Sequence, residues 1–169
     1  MKEIIGDYES FVANVNRGLD ECGILRDEVV MMDHICYRVE TKERYEEMKQ
    51  VLALHAEMIG EVDVNGRLMA TFECEQPLEA SGWLIPYIEL PQPKASAPYP
   101  EGLEHVELVT LSSLRGFERR HSELPFGQDG MNKKINPELG LKHAGISVKF
   151  HEQPLGAVVR LESRLGIHD

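Results

Sequence analysis

The sequence predicts an α+β fold of two βαβββ modules, with added N- and C-terminal helices. Three observations support this. Short segments alternate apolar and polar residues with period two, and stripes of helical period separate them. Asp33-His34-Ile35 is echoed by Glu104-His105-Val106 about 70 residues later, the sign of an internal duplication. Between the halves, residues 91–100 hold four prolines and no periodicity, so they read as a linker. Within one domain spanning 1–169, residues 1–32 form an N-terminal helical extension and 33–91 the first module. Residues 92–102 are the linker, and 103–169 a second, shorter module with its C-terminal helix.

Each element has its own signal. Phe11, Val12, Val15 and Leu19 recur at helical spacing over residues 7–22, with Asp7 as N-cap and Gly23 as the stop. Residues 33–39 alternate as a strand, and 42–55 return to helix behind Thr41, with Tyr45, Met48, Val51 and Leu52 in a stripe. Residues 57–64 and 67–73, joined by Asn65-Gly66, form a hairpin. Residues 83–90 make the strand that closes the first module before Pro91 and Pro93. In the second half, 103–110 is a strand and 112–121 a helix. Turns around Asn136-Pro137 and a short strand follow, then a strand over Ile146–His151 and a helix over Leu155–Leu165.

Composition narrows the function. The 169 residues are 42% hydrophobic and 28% charged, a globular balance. The longest aliphatic run is residues 29–32, too short to span a bilayer. The first residues lack the apolar stretch of a signal peptide, so the expected location is cytoplasmic. Eighteen basic against twenty-nine acidic residues give a net charge of −11. The deficit sits in residues 1–110, at −13, while residues 111–169 carry +2. No Lys/Arg cluster interleaves with aromatics, which argues against a nucleic-acid partner. Cys22, Cys36 and Cys74 are odd in number and widely spaced, which disfavours a disulfide framework or thiolate zinc site.

Strand alternation then sorts the chemistry. His34, Cys36 and Arg38 share one face of their strand; Glu89 shares a face with Ile85 and Tyr87. His105 and Glu107 share a face, as do Ser147, Lys149 and His151. Ordinary amphipathic strands with a solvated face would alternate in the same way. That reading leaves unexplained why two His and two Glu fall at matching offsets.

The stretches Asp33-His34-Ile35-x-x-Arg38, Ile88-Glu89-Leu90-Pro91, Glu101-Gly102-Leu103-Glu104-His105-Val106-Glu107, Asn136-Pro137 and Val148-Lys149-Phe150-His151 resemble the YecM family. The resemblance runs from about residue 15 to the C-terminal helix. It implies the glyoxalase-like, or vicinal oxygen chelate, fold, in which paired βαβββ modules curve around a cavity. In that superfamily a divalent metal is held by the first and last strands of each module. The resemblance therefore implies His34, Glu89 and His105 as metal ligands. The fourth position falls at Lys149, the counterpart of Glu89, which cannot ligate when protonated.

Two imidazoles and a carboxylate suit zinc, Fe(II), Mn or Ni with an open position for substrate oxygens. Glu107, Arg38 and Lys149 are the candidate catalytic residues. Glu107 would orient a ligand histidine or act as base or substitute ligand; Arg38 and Lys149 would fix a carboxylate or form ion pairs with Glu107 or Glu89. A Cys36–His34 nucleophile pair is conceivable, although buried cysteines are usually inert packing. His151 is a candidate distal ligand, whereas His55, His121, His143 and His168 are expected at the surface. Trp83 and Tyr87 read as core more readily than as a substrate platform. Phosphate-loop and nucleophile-elbow motifs do not occur.

The expected function is metal-dependent lyase, isomerase or dioxygenase chemistry on a small carboxylate or carbonyl compound. The alternative is a non-catalytic protein that binds or sequesters a small ligand. A protein-interaction module with a vestigial pocket is the third possibility, and a shared scaffold does not choose among them. The expected partner is a small molecule, with no nucleic acid or membrane; the oligomeric state is left open.

Overall fold

A computed structural model describes residues 1–64, 66–94 and 99–165. Asn65 of the Asn65-Gly66 turn, residues 95–98 of the linker, and His168 lie outside the described residues. Among the described residues the helices are α1 (Lys2–Ile5), α2 (Tyr8–Glu21), α3 (Lys42–Leu52), α4 (Leu114–Arg120) and α5 (Leu155–Leu165). The strands are β1 (Val29–Arg38), β2 (Ala56–Asp63), β3 (Leu68–Ala80), β4 (Trp83–Pro91), β5 (Gly102–Thr110), β6 (Leu139–His143) and β7 (Ile146–His151). No helix among them is long and apolar enough to cross a membrane.

The caps act as their residue types dictate. Asp7 accepts from the Ser10 N–H at the start of α2, Thr41 from Arg44 at α3, and Ser113 from Gly116 at α4; each satisfies a helix-terminal donor. Gly23, with φ at +69°, turns the chain after α2 at no steric cost.

All seven strands form one curved sheet in the order β2-β3-β4-β1-β5-β7-β6. The duplication is visible in the pairing. β1 runs parallel to β4 and β5 parallel to β7, while β1 and β5 meet antiparallel at the centre. The second module is shorter. Between α4 and β6 the chain makes a 3-10 turn, Asp129–Asn132, and a lone bridge from Gly127 to Gly140. The second module therefore has three strands among the described residues where βαβββ predicts four, and Pro125, Gly127 and Gly130 interrupt any run there that could form the counterpart of β2.

One face of the sheet carries the apolar alternates, including Ile35, Ile88, Leu90, Val106, Leu108, Val148 and Phe150, all buried in the core. Phe117 of α4 packs on Phe150 with ring centroids 4.7 Å apart. Trp83 is buried with its indole N–H on Asn16 at 2.9 Å, and Tyr87 is buried beneath α5, so both belong to the packing. His121 differs from its expected surface position. It is buried beside Phe117, and its Nε2 lies 3.1 Å from both carboxylate oxygens of Glu28. Glu28, at the end of the 3-10 turn just before β1, supplies a polar partner that helical spacing alone does not reveal.

Candidate metal centre

The polar alternates meet on the other face of the central strands. His34 on β1, Glu89 on β4, and His105 and Glu107 on β5 are all at most 8% exposed. Each offers one ligand atom, and those atoms all lie within 4.8 Å of one another. The three residues implied as ligands are therefore brought together, and Glu107 joins them.

Strand register explains the arrangement. On β1 and β4, Cys36 stands opposite Glu89; on β5 and β7, Glu107 stands opposite Lys149. Lys149 thus occupies the position of Glu89 in the second module, as the duplication implies. The missing carboxylate sits across the strand pair, at Glu107.

Two β-bulges complete the site, and alternation alone could not show them. The β1–β5 register slips between Met32 and His34, leaving Asp33 as an extra residue on β1. It slips again between Cys36 and Tyr37, where β5 passes from His105 to Leu103 and Glu104 is the extra residue. A bulge re-aims its side chain, so each acid turns onto the histidine that follows it. Asp33 Oδ2 lies 2.8 Å from His34 Nδ1, and Glu104 meets His105 Nδ1. This carboxylate–imidazole pairing fixes ring orientation and raises ligand basicity in metal sites. The one sequence signal for it was the acidic residue preceding each histidine in the repeated tripeptide.

Glu107 is the hub of the charge network. Its Oε1 lies 2.9 Å from His105 Nε2, 2.9 Å from Lys149 Nζ and 3.4 Å from His34 Nε2. Its Oε2 meets His151 Nε2. Burial opposes the charge on Glu107, but His151, Lys149 and His34 outweigh it and hold the carboxyl well below its usual range. Burial likewise opposes a charged His34, yet Glu107, Asp33 and Glu89 lift its pKa to about 10. His105 is raised well above the ordinary histidine value; burial is again opposed, here by Cys36 and the two glutamates. Lys149 is raised too, by Glu107, Glu89 and Glu138 acting against burial.

The residues fit a divalent cation. His34 Nε2 is buried without a hydrogen-bond partner while its other nitrogen is held by Asp33. It faces the Glu107 carboxylate at 3.4 Å, an arrangement that a proton on Nε2 satisfies and that a divalent cation replacing that proton would satisfy equally.

The remaining candidates fall into place around this centre. Arg38 pairs with Glu104 at 2.5 Å and lies 4.3 Å over the Tyr99 ring, so it braces the acid behind His105. Cys36 is buried beside His105, and burial pushes its thiol up. All three cysteines are free and buried.

A cavity of about 440 Å³ opens from the centre, with Glu89, Glu107, Lys149, His151 and Thr71 at its polar end. Helix α5 covers it, contributing Leu155, Val158 and Val159. The helix is tied to the centre by the residue that holds His34, since the Leu155 N–H donates to Asp33 Oδ2 at 3.0 Å. Glycines let α5 seat closely: a Cβ on Gly60 would overlap Val159, and one on Gly156 would overlap Tyr87. Arg160 pins the helix to Glu73.

The family model for YecM protein matches residues 1–135. This chain belongs to the YecM family. Protein YecM of Escherichia coli (strain K12) is 26% identical over 180 residues, covering 96% of this chain and 94% of that protein. An uncharacterized protein of Haemophilus influenzae is 33% identical over 79 residues, 46% of this chain and 41% of its own. Among solved structures, a structural-genomics protein superposes with a TM-score of 0.77 at 22% identity, over 95% of this chain and 92% of that one. Methylmalonyl-CoA epimerase of Streptomyces coelicolor superposes with a TM-score of 0.53 at 15% identity, over 73% of this chain and 96% of that one. This YecM-family chain thus has a glyoxalase-like fold, shared with that epimerase.

Proposed function

We propose that this YecM-family protein binds one divalent metal ion through His34, Glu89, His105 and Glu107, and acts on a small carboxylate or carbonyl compound in the adjoining cavity. The observation behind it is the convergence of those four buried ligand atoms, within 4.8 Å of one another, at the cavity's polar end. A bound ion there supplies Lewis-acid polarisation of a substrate oxygen. The chain supplies the rest. Lys149 Nζ, on Glu107 and facing the cavity, holds an anionic oxygen of the substrate. His151, with Nε2 on Glu107 and Nδ1 buried without a partner, holds or moves a proton. Arg38 acts through Glu104 to position His105.

Four protein donors with acid–base groups beside them favour an isomerase or lyase. A dioxygenase uses a two-histidine, one-carboxylate triad with more open positions. The experiment is titration calorimetry with zinc and Mn(II). One ion per chain is expected to bind, with His34→Ala and His105→Ala each weakening it by more than about a hundredfold, beyond the loss typical of outer partners. A wild-type chain that binds neither ion, or variants that bind like wild type, would overturn the proposal.

A further inference from the structure

The cavity has both polar and apolar walls. Besides Glu89, Glu107, Lys149 and His151, the loop around Lys133, Lys134 and Asn136 lines part of it, and Val62, Val64 and Met69 of the hairpin with Leu155, Val158 and Val159 of α5 line another part. Val62 and Met69 are a cross-strand pair, so they present adjacent side chains on the same face of the β2–β3 hairpin. Five of the six residues are only half-buried, with Val159 the exception where it meets Gly60. Their apolar surface therefore lines open space within the fold. The seating of α5 on Gly60 and Gly156 fixes how far apart the two walls stand.

Lys149 is paired with Glu107, and Lys133, at the cavity's edge, with Glu138 at 2.7 Å. A charged group placed against the valines would lose its hydration without a partner there. A methylene or aryl group in the same place gains by leaving water. The cavity volume of about 440 Å³ falls in the range for a small-molecule site.

We infer that the ligand is an amphiphilic acid: an oxygen-bearing head at the Lys149–Glu107 end and an unbranched or aryl apolar tail between the β2–β3 hairpin and α5. The inference rests on the cavity being the ligand site proposed above and adds the class of compound that fills it.

The probes are straight-chain 2-oxo acids of four to eight carbons, titrated by calorimetry into the chain with and without saturating zinc. Each added methylene is expected to tighten binding up to about fourfold. That gain is expected to vanish in Val158→Asp, and in Val158→Trp for the longer acids alone. Wild-type affinity independent of chain length overturns the inference whatever the variants do, and so does failure of every acid to bind. Zinc binding combined with a flat series removes the tail site and leaves the metal reading standing. A preserved length dependence in a chain that binds no zinc supports the tail site and removes the metal reading.

Discussion

On β1 the site histidine is preceded by Asp33 and followed two residues on by Cys36, which stands opposite Glu89 of β4. On β5 the same positions hold Glu104 and Glu107, with Glu107 opposite Lys149 of β7. The two half-sites share a skeleton of bulge, acid and histidine, and differ in which strand carries the remaining carboxylate. In the first half a thiol faces a carboxylate; in the second a carboxylate faces an ammonium. The exchange keeps two carboxylates and two imidazoles at the centre while adding one cation beside them. A duplicated fold can thus preserve a donor set while moving one donor across a strand pair, because opposite residues in a sheet lie close enough to exchange roles.

The sharpest way to break this comparison is to remove the acids behind the histidines. Asp33→Ala and Glu104→Ala should each weaken zinc binding about ten- to a hundredfold, measured by competition with a chromogenic chelator. The two should differ elsewhere. Asp33 also accepts the Leu155 N–H, so Asp33→Ala should speed hydrogen exchange in the first turn of α5. Glu104 is braced by Arg38 and makes no such tie among the described residues, so Glu104→Ala should leave α5 unchanged. Equal exchange in both variants would show that the half-sites are not coupled to α5 in different ways.

A smaller effect sharpens the same contrast from the side of Lys149. Its ammonium competes with a cation for Glu107, at 2.9 Å from Oε1. Lys149→Met should therefore raise zinc affinity by about tenfold, equivalent to about 1.4 kcal/mol. Affinity that is unchanged or lower would mean that Lys149 does not hold Glu107 away from the ion.

Much of this organisation was legible in the sequence. Period-two alternation put His34, His105, Glu89 and Lys149 on the right strands, and the repeated tripeptide gave the offset between modules. The helices α2 and α3 followed from their stripes and caps. The bulges at Asp33 and Glu104 were not legible. An extra residue breaks the alternation count, so both acids read as facing away from the histidines they touch. Glu107 shared a face with His105, but only register showed that it takes the carboxylate's place opposite Lys149. The strand β3 runs on past residue 73 to Ala80, because the register slip between Glu73 and Leu78 accommodates Pro77. That α5 crosses to the polar face depends on contacts with Gly60, Tyr87 and Asp33, none of which is local in sequence.

The most direct test of the shifted donor is a crystal structure of the zinc-loaded protein, with the ion located by anomalous scattering. The expected result is one ion at about 2.0–2.2 Å from His34, Glu89, His105 and Glu107, with Lys149 withdrawn from Glu107 Oε1. An ion bound elsewhere, or one held by His34, Glu89 and His105 while Glu107 stays paired with Lys149, would contradict it.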